Sequence, residues 1–270
     1  MCYTQTMKHT MLLKLVPTED QHHALLETMH AFNAACNYIA GQAFEAKVAN
    51  TFELQKMTYG EVRTTHHLPA QLAIRAISKT TDTYKRDKSV KPTFRPEGAI
   101  VYDERVMSFK GLTTVSLLTL SGRVLVPFRI GEYQQSRLDQ IKGQADLIYR
   151  RGTWYLAVTL DVPEPTPDLP DGTLGVDLGI VNLATDSTGE SFSGRLVEKT
   201  RKRYHGLRQR LQKRGTKSAK RHLKKLSGKE ARFRKNTNHV ISKRIVQKAK
   251  QQKQGLAIEE LRHIRQRTER

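Results

Sequence analysis

The positive charge of this chain is concentrated in one stretch, and that placement limits what the chain can fold into. Of 47 Lys and Arg residues, 23 fall between Ser191 and Gln254, against two acids, Glu198 and Glu230. This block carries the whole formal net charge of +21, because the remainder holds 24 basic and 24 acidic residues. A segment so charged cannot form the inside of a globule, and it repels itself until a polyanion neutralises it. Helices with one narrow apolar stripe and broad basic faces satisfy both constraints. Leu207 and Leu211 supply a stripe, Arg214-Gly215-Thr216 interrupt it, and Phe233, Ile241, Ile245 and Ala249 line a second helix. The block therefore reads as a helical hairpin over residues 195–254. It is either a solvated helical surface or a surface for nucleic acid, and the charge density favours the second. The candidate phosphate-gripping residues are Arg201, Lys202, Arg203, Arg208, Arg210, Lys213, Arg214, Lys217, Lys220, Arg221, Lys224, Lys225, Arg232, Arg234, Lys235, Lys243 and Arg244.

The residues before the block change character twice. Residues 8–16, KHTMLLKLV, read as a strand. Thr18 with Gln21 three residues on forms a capping-box pattern. Leu25, Met29, Phe32, Cys36 and Ile39 then recur at helical spacing, which predicts a helix to about Gly41. A further helix is expected from LPAQLAIRAISKTTDTYKR, with Pro69 suited to the first turn. Residues 18–90 are thus mainly helical. Over residues 91–161 the period falls to two: TVSLLTL and RVLVPF flank Ser121-Gly122, while ADLIYR and TWYLAVTLD flank Arg151-Gly152, two hairpin signals. These short strands, joined by the strand at 8–16, predict a small antiparallel barrel into which the helical stretch is inserted. Pro163, Pro165, Pro167 and Pro170 then make residues 162–172 a stiff linker.

Past the linker, TLGVDLG, IVNLATD and ESFSG read as three short strands, and GLAIEEL, after the basic block, as another. Asp177 stands in the first, where a lone charge in a strand core is costly unless something pairs with it or binds it. A second acid, Glu259 or Glu260, closes the last. A few carboxylates plus phosphate oxygens hold catalytic Mg²⁺ in phosphoryl transfer. Two such ions can activate water and stabilise a leaving oxygen. Acids on two strands beside a basic block suit an RNase H-type nuclease, though spacing alone also allows a paired core aspartate and a surface glutamate.

Other chemistries find little support. No run of 18 apolar residues exists, so no membrane helix is expected, and the N-terminus has too short an apolar stretch for a signal peptide. Cys2 and Cys36 form no metal-ligand spacing, which suggests a reduced setting. His22-His23 and His66-His67 lack companions at zinc-site spacing.

GVDLGIVNLATDSTG resembles the first RuvC motif of the TnpB proteins, the transposon-encoded, OrfB-type relatives of type V CRISPR effectors. LAIEELRHIRQR resembles their second RuvC motif, and LPAQLAIRAIS, KPTFRPEGAIVYDERVMSF and LSGRVLVPF are similar to their N-terminal part in the same order. The resemblance implies an α+β multidomain chain. Its parts would be a helical recognition insertion (18–90) in a wedge-type β-barrel (1–17 and 91–161), then a partial RNase H-like (RuvC) α/β domain (173–270) with its basic hairpin. It implies RNA-guided cleavage of double-stranded DNA, with guide RNA and target DNA as partners and a cytoplasmic, nucleoid-associated prokaryotic setting. Asp177 matches the first catalytic, metal-binding aspartate and Glu259 the glutamate of the second motif, with Glu260 at the variable position. The family's third aspartate and its four-cysteine zinc module have no counterpart, since no cysteine follows Cys36. The chain is accordingly read as a C-terminally truncated member, its missing portion a possible partner, that binds nucleic acid but cleaves poorly. A non-cutting repressor or relic is the alternative. A weaker one is an actin-like or Hsp70-like ATPase, which GVDLGIVN faintly resembles but which needs a second phosphate loop not found here.

Overall fold

The computed structural model describes residues 6–164 and 169–259, and its chain divides into two units, Met1–Pro165 and Thr166–Arg270.

The first unit is a strongly curved sheet that holds three helices. Strand β1 (Thr6–Leu15) leads into α1 (Glu19–Glu45), α2 (Thr51–Thr65) and α3 (Ala70–Arg86). The strands that follow are β2 (Ile100–Tyr102), β3 (Met107–Lys110), β4 (Thr114–Thr119) and β5 (Gly122–Arg129). A short α4 (Glu132–Gln135) and a 3₁₀ turn then precede β6 (Ile141–Arg150) and β7 (Thr153–Pro163). The order β2-β6-β7-β1-β5-β4-β3 is antiparallel throughout and places β1 at the centre. Alternation along β1 buries Met11, Leu13 and Leu15 and exposes Leu12 and Lys14. The two edge strands are joined by the tight turn after Tyr102, where Met107 N donates to Asp103 O at 2.8 Å, so the sheet is a nearly closed barrel. Asp103 ties that turn to α3 by accepting from Gln71 Nε2 at 2.6 Å and pairing with Arg75 at 2.5 Å. Burial pushes the Asp103 carboxyl up, but the bonds from Gln71 and Arg75 outweigh it and hold it below the ordinary carboxylate range.

Local signals explain most of these elements. Thr18 and Gln21 cap α1 reciprocally, at 3.1 and 3.4 Å. Leu25, Met29, Phe32, Cys36 and Ile39 are all fully buried. The helix runs four residues past Gly41, because Ala40 and Ala43 carry the buried face onward and offset the roughly 1 kcal/mol cost of a mid-helix glycine. Pro69 precedes α3 as its N-cap instead of occupying the first turn. The Arg151-Gly152 hairpin has φ of 55° and 74°, the left-handed pair of a type I′ turn. The other hairpin is offset by one residue: Thr119 pairs with Gly122, so Leu120-Ser121 make the turn.

The second unit is a four-stranded sheet with a helical hairpin. Strands β8 (Gly172–Asp177), β9 (Asn182–Asp186) and β10 (Ser191–Ser193) form an antiparallel meander. Helices α5 (Arg195–Arg214) and α6 (Lys217–Gln251) follow, and β11 (Gln254–Ile258) returns parallel to β8. The order is β10-β9-β8-β11. Three antiparallel strands, a helical crossover and a fourth strand parallel to the first make an RNase H-like arrangement. Leu174, Val176 and Ala184 pack against Ile245 and Ala249 of α6, with Ile241 and Phe192 at the margin. Farther along the hairpin, Leu211, Ala219 and Leu226 form a separate small cluster with Tyr204, Leu207 and Leu223. Phe233, expected in the stripe, is only half-buried and belongs to neither cluster. The second strand begins at Asn182, so Ile180 and Val181 lie exposed in the turn before it. Gly194 closes the meander where its N donates to Val181 O at 2.7 Å; a Cβ there would stand 2.5 Å from Ile180 O.

Candidate metal centre and nucleic-acid interface

Asp177 does not sit in a strand core. It is the last residue of β8 and is exposed, so the desolvation cost expected for it does not arise. Alternation explains the placement, since Leu174 and Val176 face α6 while Gly175 and Asp177 occupy the opposite face. Parallel pairing sets Ala257 beside Gly175 and Ile258 beside Val176, which carries Glu259 to the position alongside Asp177. Neighbouring strands lie about 4.8 Å apart, so two residues 82 positions apart in sequence stand side by side on one sheet face. Both line a shallow, open cleft of about 600 Å³ with Gly175, Thr185, Ser187 and Ala257. Gly175 N donates to Ser187 Oγ at 3.2 Å across the floor of this cleft. Glu260, the alternative second acid, lies outside the described residues.

Two exposed carboxylates at the C-terminal ends of adjacent parallel strands are a hard-oxygen donor set that fits one Mg²⁺, which keeps waters and takes phosphate oxygens at its remaining positions. Among the described residues neither carboxylate pairs with a Lys or Arg, and no group of three His, Cys, Asp or Glu stands close enough to hold a metal ion. Zinc chemistry finds no footing on Cys36: burial pushes its thiol up to about 11, and its Sγ faces Ala76 O at 3.7 Å. Cys2 lies outside the described residues.

Asp186, which no sequence pattern singles out, does meet a cation. Its side chain is fully enclosed and pairs with Lys248 at 2.5 Å. Oδ1 accepts from the N–H groups of Thr188 and Glu190, each at 3.0 Å, and from the Thr188 hydroxyl at 2.7 Å. The Lys248 and Thr188 hydrogen bonds hold its carboxyl well below the ordinary range, and Asp186 and Glu190 raise Lys248 in turn. This cluster bolts α6 to β9. Asp186 lies 62 residues from Lys248, and no spacing rule connects them.

All 17 candidate phosphate-gripping residues fall on the hairpin, Arg201 to Arg214 on α5 and Lys217 to Arg244 on α6. All but Arg208 are exposed. Four are engaged within the chain: Arg201 chelates Glu198 at 2.7 and 2.8 Å, Lys202 lies 3.7 Å from the same carboxylate, Arg208 pairs with Glu230, and Arg244 pairs with Glu190 at 2.8 Å. The other thirteen have no ion pair among the described residues.

A meander completed by a parallel strand, acids at the ends of β8 and β11, and a crossover replaced by a basic hairpin define an RNase H-like domain of the RuvC type. Residues 155–264 match the model of the OrfB_IS605 family, described as "Probable transposase". The second unit and the last strand of the barrel are thus similar to the OrfB_IS605 transposase family. The fold of the chain is similar to that of a chain in the cryo-EM structure of a Cas12f1–sgRNA–target DNA complex, at 13% identity and a TM-score of 0.63 over 95% of this chain and 81% of that one. That likeness extends across both units and accords with a wedge-type barrel followed by a RuvC-like domain. The search of curated proteins finds no match.

Proposed function

We propose that this chain is an RNA-guided DNA-binding protein of the TnpB type, in which Asp177 and Glu259 hold a divalent cation and the α5–α6 hairpin grips phosphate. The observation that carries it is the β8–β11 register, which sets the two acids side by side, exposed, in a domain whose residues 191–254 hold the entire net charge. The resemblance to TnpB and the fold likeness to a chain solved with guide RNA and target DNA support those two partners. Bound Mg²⁺ would supply activation of water and stabilisation of the leaving oxygen. Asp177 and Glu259 would fix the ion at the cleft, and exposed cations such as Lys220, Lys224 and Lys225 would hold the strand.

We infer further that cleavage of the target needs a carboxylate beyond these two. In-line attack between two ions takes more ligands than a pair of acids provides. The 270-residue chain is accordingly expected to bind guide RNA and target DNA while cutting negligibly. The test is a plasmid-cleavage assay with guide RNA and Mg²⁺, run beside Mn²⁺ binding followed by electron paramagnetic resonance. Mn²⁺ bound at one site and lost in Asp177→Ala supports the metal assignment; binding unchanged in that variant overturns it. Strong Mg²⁺-dependent cutting by the parent chain overturns the need for a third acid.

A further inference from the structure

The strand registers of the barrel place four side chains in a row on its outer face. Arg129 of β5 lies opposite Lys14 of β1, Lys14 opposite Tyr155 of β7, and Tyr155 opposite Ile148 of β6. Alternation puts all four on the outside, because their neighbours Leu13, Leu15, Phe128, Trp154, Leu156 and Leu147 are buried. Adjacent strands stand about 4.8 Å apart, so the row crosses four strands in about 14 Å. Arg150 and Asp146 stand two residues to either side of Ile148 on β6, each diagonal to Tyr155. Lys14, Arg129, Arg150 and Asp146 are exposed, while Tyr155 and Ile148 are half-buried. Like charges directly opposite each other destabilise a sheet, yet among the described residues none of the three cations has an ion pair. Outside residues 191–254 the charges of the chain balance, so this cluster is no part of a general excess.

A half-open aromatic ring with an aliphatic neighbour, and with cations on both sides, fits one base and the phosphates before and after it. Charge complementarity selects a polyanion, since an apolar protein surface would leave three cations uncompensated. Asp146 narrows the choice further. Its carboxylate accepts a hydrogen bond from a ribose 2′-hydroxyl but offers a deoxyribose strand only repulsion. We propose that this face of the barrel binds an unpaired RNA segment, with one base on Tyr155 against Ile148 and the flanking phosphates on Lys14 with Arg129 and on Arg150. Sheet faces take up unpaired RNA where an aromatic ring meets a base, and stacking then acts together with phosphate contacts. The site extends the proposed guide-binding role to the barrel. A readout at one residue keeps its failure distinct from failure of the hairpin or of the Asp177–Glu259 cleft.

The full chain is acetylated at trace level with increasing tetrauridylate in excess, and labelling of Lys14 is read by peptide mass spectrometry. Oligomer held on the basic hairpin does not enter this readout. Lys14 should be protected saturably. An abasic ribose-phosphate oligomer of equal length should need a concentration at least about fivefold higher, because stacking is lost, and tetradeoxyuridylate should also protect less well. Tyr155→Leu should raise the midpoint for tetrauridylate at least about fivefold, whereas Tyr155→Phe, which keeps the ring, should match the parent; a thermal melt of each variant checks folding. Several results would each overturn the proposal: Lys14 left unprotected, equal midpoints for the uridylate and abasic oligomers, or equal midpoints for the ribose and deoxyribose oligomers. So would equal protection by a peptide of alternating Asp and Phe, or a parental midpoint in Tyr155→Leu. The comparisons among ligands use only the parent protein, so they decide the matter even if a variant fails to fold.

Discussion

Replacing Lys220, Lys224 and Lys225 by glutamine tests whether the hairpin carries the phosphate contacts. All three are exposed on α6, and among the described residues none has an ion pair or a side-chain hydrogen bond. The folded protein should therefore lose almost nothing, within about 0.5 kcal/mol. Each phosphate neutralised contributes about 0.9 to the log–log salt slope on duplex DNA and about 0.7 on single strands. Loss of three contacts should flatten the slope by roughly 2 to 2.7 and weaken binding most at low salt. The assay is fluorescence anisotropy of a labelled structured RNA and of a DNA duplex across a salt series, with a thermal melt as the folding control. Arg208→Gln is the matched contrast. Arg208 spends its charge on Glu230 inside the hairpin, so this change should lower the melting temperature slightly and barely move the slope. If the triple variant kept the parent slope, or if Arg208→Gln flattened it as much per residue, the assignment of the hairpin as the phosphate-gripping surface would be wrong.

Asp177→Ala or Glu259→Ala should abolish divalent-ion binding at the cleft yet leave RNA affinity within about twofold, because each removes a metal ligand and no cation; metal titration beside anisotropy decides this. Gly194→Ala forces a Cβ to within 2.5 Å of Ile180 O and should cost about 1–3 kcal/mol or more, whereas at Gly175 the nearest atom, Ser187 Cβ, is 3.7 Å away and alanine should be tolerated; urea melts of the two variants compare them directly. Lys248→Met leaves the enclosed Asp186 carboxylate without its cation, so the variant should melt well below the parent at neutral pH. Asp186 is depressed in the folded state, so the stability it contributes is present above its ordinary pKa of about 3.9 and is lost as pH falls through the acid range. The gap between parent and variant should therefore narrow toward acid, and a gap constant from neutral to acid pH would contradict the ion-pair account.

The clearest features in the sequence act over a few residues. The Thr18–Gln21 cap, the buried face of α1 and the left-handed pair at Arg151-Gly152 each follow from side chains and backbone within one or two turns, which is why pattern and spacing locate them. Charge is equally plain. A block with 23 cations and two acids has no stable form except one that keeps its faces in water or on a polyanion, and it folds into two helices with only a thin apolar seam. Where local signals met tertiary packing, packing won. Gly41 reads as a helix stop, but Ala40 and Ala43 find a core to enter and α1 continues to Glu45.

The candidate site divides along the same line. Asp177 and Glu259 are conspicuous as acids in apolar stretches, and their resemblance to RuvC motifs names them without saying where they lie. Sequence suggested a charge buried in a strand, whereas the structure puts Asp177 at a strand end, facing an open cleft. Only the parallel register of β8 and β11, set by α6 carrying the chain back across the sheet, brings Glu259 beside it. Asp186 and Lys248 show the converse. Neither stands out as a residue, yet folding closes 62 positions to 2.5 Å and makes the pair the electrostatic anchor of the hairpin on the sheet. Residue chemistry and short-range pattern are properties of the chain itself. Which side chains share a face is decided by strand register and helix crossover, because those interactions join residues that sequence alone leaves far apart.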